Sequence, residues 1–163
     1  MNSRNRIALG IWAAAVLAVA TLIFSLNARA QGSAHAIHLK SYQFTPGVGE
    51  QPRIPPGLMI AEYAQNQRGY YLVQFRGPVE QAWKDAVTAL GAEILEYVPD
   101  FTFKVRMNPG QARRSGQLDS VTWVDIFQPA YKLDPDLIRN GTQLYVIHAE
   151  RGADHGLTTA AVA

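Results

Sequence analysis

A chain of 163 residues without one cysteine has no disulfide framework, no thiolate nucleophile and no cysteine-ligated metal site. Its net charge of +2 belongs to the first 30 residues, which carry Arg4, Arg6 and Arg29 and no acid; the remainder stands at −1. No basic stripe is left there, which argues against nucleic acid as a partner, and the length admits one domain with a leader and a tail.

The leader comes first in the chain. Arg4 and Arg6 precede an uncharged apolar run over residues 7–26, and Ala28-Arg29-Ala30 forms an A-x-A pattern before Gln31. That order is the signature of a secretory signal peptide cut after Ala30. The run is also long enough to cross a bilayer. Residues 1–30 therefore read as a signal peptide or a signal anchor, an apolar helix in either case. Both place the remainder outside the cytoplasm, secreted or anchored by residues 7–26, with the membrane touched only by this segment.

Residues 31–68 hold Pro46, Pro52, Pro55 and Pro56, with Gly47, Gly49 and Gly57 among them. The composition predicts an extended linker with little regular structure. His35 and His38 lie in it, but two histidines fall short of the three or four ligands of a stable metal site. No metal or other cofactor is expected.

From residue 70 the pattern changes. YYLVQFR predicts a strand with Tyr71, Val73 and Phe75 on one face. Pro78 suits a first helical position. Val79, Ala82, Trp83, Ala86, Val87 and Leu90 then make one apolar stripe over a helix at 79–90, with Glu80 and Lys84 as an exposed i,i+4 pair and Gly91 as the left-handed stop. Trp83 falls on the buried stripe and reads as core. Residues 92–98 predict a second strand, Pro99-Asp100 a turn, and 101–107 a third strand. Its alternation points Phe101, Phe103, Val105 and Met107 inward and Thr102, Lys104 and Arg106 to solvent.

Asn108 and Pro109 predict a cap and first turn, opening a helix that Gly110 and Gly116 keep short. Residues 121–127 predict the fourth strand, ended by Pro129. Strand, helix, strand, strand, helix, strand is a split βαβ pair. It predicts an α+β domain over 69–132, with a four-stranded antiparallel sheet, both helices on one face and the other face open to solvent or a partner.

These pieces together resemble the N-terminal prodomain of secreted subtilisin-like serine peptidases. The resemblance rests on Gly77-Pro78, Trp83, Leu90-Gly91-Ala92-Glu93, Tyr97 to Asp100, Val121 to Val124 and Gln128 to Leu133, in that order, and covers about residues 36–140. It implies a ferredoxin-like βαββαβ fold of the propeptide-inhibitor type. The implied role is intramolecular chaperone and inhibitor of a subtilisin-like catalytic domain, the partner in cis, or in trans for a free-standing unit. By the same analogy an extended segment after the fourth strand runs toward the protease cleft, and Gln128, Pro129, Tyr131 and Lys132 are its candidate contacts.

The chain departs from the family in lacking a G-T-S stretch for the nucleophile. Ser115 and Ser120 lie in RRSGQLDSV, in or beside the second helix. The tail RGADHGLTTAAVA echoes a catalytic H-G-T motif at His155. A catalytic histidine needs an orienting acid and a nucleophile, and neither motif accompanies it, so no catalytic residue is assigned. YYLVQFRGPVEQAWKDAVTAL aligns instead with QLYVIHAERGADHGLTTAAVA: an apolar strand, an Arg-Gly step and an Ala-rich stretch. Residues 133–163 thus read as the start of a second strand-helix module, broken off, and the chain as the N-terminal piece of a longer precursor. A free-standing secreted or anchored protease inhibitor and a binding or adhesion module that offers a sheet edge share the fold, and a fold alone does not fix function.

Overall fold

The computed structural model describes residues 34–137, 140–142, 144–150 and 156. The leader, with Ala28, Ala30 and Gln31, lies outside the described residues, as does His155. Among the described residues no helix is long and apolar enough to cross a membrane.

Among the described residues the strands and α-helices are β1 (Ile37–His38), β2 (Gln43–Phe44), β3 (Gly69–Phe75), α1 (Gln81–Ala89), β4 (Glu93–Val98), β5 (Thr102–Met107), α2 (Pro109–Ser115) and β6 (Val121–Ile126). Four strands form one antiparallel sheet in the order β4-β5-β3-β6. The richest aromatic and branched run, β3, lies inside it, with Tyr71 opposite Val105 on one side and Ile126 on the other. The domain is α+β, as the pattern predicts.

The helices start where local bonding allows. Glu80 is extended and caps α1 through its carbonyl, which accepts from the Trp83 N–H, so Pro78 stays outside the helix. The expected Glu80–Lys84 pair gives way to a Gln81 Nε2 to Asp85 Oδ1 hydrogen bond of 2.8 Å. Gly91 ends α1 at φ 87°, and a Cβ there would meet Gln111 Nε2 at 2.6 Å. α2 is short, and a reciprocal capping box fixes its start. The Gln111 N–H donates to Asn108 Oδ1, and the Asn108 N–H donates to Gln111 Oε1.

Both helices contribute to the core built on Tyr71, Val73, Phe75, Val105 and Met107, Val87 from α1 and Ala112 from α2. Of the predicted α1 stripe, Val87 is fully buried, Trp83 is partly buried with its ring stacked on Phe75 at 6.2 Å, and Ala82 is exposed.

The other face of the sheet is not open. Leu72 and Thr102 are fully buried there, and Gln74 and Lys104 nearly so. The cover is the segment expected as a linker. Residues 34–63 form a strap, of which 34–58 cross this face, pinned by β1 and β2, which pair as Ile37 to Phe44, while Ile60 and Tyr63 pack against the helix-side core. Ile37 and Phe44 join Leu72, Val98, Phe127, Ala130 and Tyr131 in a second core, with Leu39, Tyr42, Ile54 and Leu58 packed against it. The Phe44 ring lies 5.7 Å from Trp123 and 6.0 Å from Tyr131. The Gln74 amide donates to the His35 carbonyl at 3.1 Å, and the His38 N–H to the Pro99 carbonyl at 3.2 Å. The prolines and glycines keep the strap irregular; they do not keep its apolar side chains out of a core.

The third strand is corrected accordingly. Thr102 and Lys104 are buried and do not face water, Lys104 beside Phe127, Glu96 and Glu150, and Arg106 alone of the three is half-exposed, 2.7 Å from Glu93. Phe101 leaves the strand for the turn, with φ 55°, and its ring meets His35 edge-on at 4.8 Å.

If the strap belongs to the folded unit, Phe44→Ala removes a fully buried ring and costs about 3–5 kcal/mol in urea unfolding. A loss below about 1 kcal/mol, as for a surface substitution, would mean that the strap is not part of the core.

Candidate functional site

The candidate surface begins where β6 ends. Phe127 turns onto the strap side, and Pro129–Lys132 makes one 3-10 turn. Gln128 is buried between this turn and the strap. Its Oε1 accepts from the Ile60 N–H at 2.7 Å, and its Nε2 donates to the Ile60 carbonyl at 3.1 Å. One side-chain amide thus satisfies both backbone groups of a strap residue, as a strand neighbour would. Tyr131 is buried against Tyr42, Phe44 and Phe127 at ring distances of 5.3, 6.0 and 5.7 Å. Burial pushes its phenol up to about 12, helped by the charge of Asp125.

The four residues that sequence analysis singled out therefore divide. Gln128 and Tyr131 hold the strap to the sheet. Pro129 is half-buried, and Lys132 is exposed, its ammonium 5.2 Å above the Tyr70 ring. Partial burial of that ammonium lowers its pKa, against the raising charge of Glu150. Beyond the turn, the Ser41 hydroxyl donates to the Leu133 carbonyl, and Lys40 pairs with Asp134.

Lys104 lies under this region, and its burial was missed by the simple alternation of β5. Its ammonium contacts Glu96 Oε2 at 2.7 Å and Glu150 Oε1 at 2.6 Å, and sits 5.5 Å from the Phe127 ring centre. Burial alone would lower its pKa. The hydrogen bonds it donates to Glu150 and Glu96 outweigh that and raise it. A buried lysine is tolerated where carboxylates meet it.

Glu150 arrives from a segment of unusual exposure. Leu144 is 98% exposed, Val146 80%, Ile147 54% and Tyr145 48%. Residues 144–150 belong to no strand or helix, so the strand predicted over 144–149 is not formed as a ladder. The sheet edges are guarded. On β6 the Ile126 N–H donates to the Asp125 carboxylate at 2.7 Å, and β4 carries a bulge between Ile94 and Glu96 with Glu93 and Glu96 exposed. Side chains and bulges of this kind keep added strands off an edge.

The remaining candidates are structural. Ser115 is fully buried with its hydroxyl 3.8 Å from the Met107 sulfur, and Ser120 is buried after α2. His38 Nε2 lies 3.8 Å from Asp100. Among the described residues no three histidine or acidic side chains converge as metal ligands.

A family model matches residues 38–128, more than half of the chain. The chain belongs to the family described as Domain of unknown function (DUF8729). No curated protein and no solved structure matches it. The DUF8729 span takes in most of the strap, both helices and the whole four-stranded sheet, and it ends at Gln128, the residue that joins strap to β6. The family span thus covers most of the two-core unit, with Ile37, Ala130 and Tyr131 of the second core just outside it.

The Tyr131 phenol gives this packing a pH signature. The fold holds the neutral phenol, whereas an unfolded tyrosine ionises near about pH 10. The contribution is therefore complete below that pH and is lost as pH rises toward about 12; the raised Tyr71 acts in the same direction. Unfolding free energies measured up the alkaline range should fall less steeply in Tyr131→Phe. An unchanged slope would put the Tyr131 hydroxyl in water.

Proposed function

We propose that the chain is the prodomain of an exported subtilisin-like serine peptidase, ferredoxin-like in fold. It assists the folding of a catalytic domain that residues 1–163 do not contain, and restrains it. The observation that carries the reading is the sheet order β4-β5-β3-β6. In the split βαβ pair the two outer strands are the second and fourth, and the first lies between the third and the fourth. Several of the motifs behind the resemblance lie at the joints of that order, while Trp83 lies within α1 and Val121 to Val124 within β6. Gly77-Pro78 lies between β3 and α1, residues 90–93 between α1 and β4, and residues 97–100 at the β4–β5 turn. Gln128 to Leu133 follows β6.

The strap changes what such a domain offers a partner. The sheet face opposite the helices is buried within the chain. Docking therefore falls to the rim with Pro129 and Lys132 and to the exposed run 144–147. Export, secreted or anchored, belongs to the same reading and rests on residues 1–30.

A second reading is a free-standing protease inhibitor or protein-binding module. It is favoured by the same strap: a unit with both sheet faces covered needs no partner to complete its core.

The test is inhibition and assisted refolding. The chain lacking residues 1–30 should slow peptide hydrolysis by subtilisin-type catalytic domains with an inhibition constant of about 1 μM or lower, roughly −8 kcal/mol. It should also raise their refolding yield. Inhibition without help in refolding would favour the free-standing inhibitor. Failure to bind or slow any of them would remove both protease readings.

A further inference from the structure

Lys104 has two carboxylates where one would neutralise it, and the two differ in origin. Glu96 comes from β4 and is the register partner of Lys104 in the β4–β5 ladder. The ladder holds its backbone beside Lys104. Glu150 comes from 46 positions away along the chain, out of a segment that belongs to no helix or strand. The Lys104 side chain is only 9% exposed, between the Phe127 ring and the two acids.

We propose that Lys104 is a carboxylate socket with one resident and one exchangeable acid. The exchangeable acid, Glu150, latches residues 144–150 to the sheet and sets where the exposed apolar run 144–147 is held.

Two physical points carry this. A buried ammonium stripped of every counter-charge is strongly destabilising. With Glu96 in place, Glu150 can leave and Lys104 remains paired, so the unlatched chain keeps its fold. The second point is the exposure of the apolar side chains: Leu144 is 98% and Val146 80% exposed, so burial of those two does not hold the segment down. Lys132 is the other cation that feels Glu150, and its own ammonium lies over Tyr70. The latch is a property of this chain alone and stands or falls independently of any protease partner.

The absence of cysteine makes the test direct, because two introduced cysteines are the only labelling sites. Spin labels at the exposed positions of Ala89→Cys and His148→Cys report the distance between α1 and the tail. The latched chain should give one narrow distribution. Glu150→Gln should broaden it while the unfolding midpoint shifts by less than about 4 °C. Glu96→Gln should leave it narrow, since Glu150 then becomes the sole acid. Lys104→Met, which fills the same space beside Phe127 without charge, should broaden it as Glu150→Gln does. The double variant Glu96→Gln/Glu150→Gln should lower the midpoint by more than the two single shifts together, because only there is Lys104 buried unpaired. A broad distribution in the unaltered chain, a narrow one in Glu150→Gln, or additive midpoints would overturn the proposal.

Discussion

The structure depends on β3 being covered on both faces. Tyr71, Val73 and Phe75 meet the helices, and Leu72, on the other face, meets the strap. A sheet of four strands carrying two short helices has limited apolar burial of its own, and small domains of this size are marginal for that reason. The strap adds a second core of comparable composition, with Ile37 and Phe44 as its anchors. Gln128 and Tyr131 then follow as fastenings. One bonds the Ile60 backbone, and the other closes the aromatic cluster around Phe44.

Burial on this face explains the electrostatics. Lys104 would be an ordinary solvated lysine on an open sheet. Buried beside the Phe127 ring it loses water and needs Glu96 and Glu150 in its place. Lys132 and Tyr131, a few residues away, are shifted by the same loss of solvent in the directions that favour their neutral forms. The site is thus a consequence of packing, and the tail enters the fold through a charge that packing created.

Much of this was legible in the sequence, and the parts that were not share one cause. The strand and helix order, the Gly91 stop and the Asn108 cap are local, set by period, turn chemistry and backbone propensity, and they are where the pattern puts them. Burial of the second face is a tertiary event. Strict alternation in FTFKVRM reads as one wet face, and Thr102 and Lys104 satisfy that reading as well as they satisfy a covered one. The signal that was available is YYLV in β3, apolar at consecutive positions. Strands buried on both faces read as continuous hydrophobic runs. Ile37, Leu39, Tyr42, Phe44, Ile54 and Leu58 gave the complementary signal inside a proline-rich stretch. Gln128 and Tyr131 were singled out for a partner and are used within the chain, because proximity to a strand end says nothing about which way a side chain is buried. The run 144–147 has strand composition, yet β pairing needs an edge, and neither guarded edge of this sheet takes it.

The claim on which the account turns is that strap and sheet are one folded unit. The most direct measurement is the nuclear Overhauser spectrum of the aromatic side chains in solution. The account predicts cross-peaks from the Phe44 ring to the Trp123 indole and the Tyr131 ring, which lie within about 6 Å of it. Random-coil shifts for Phe44, with no such cross-peaks in an otherwise folded sheet, would contradict it.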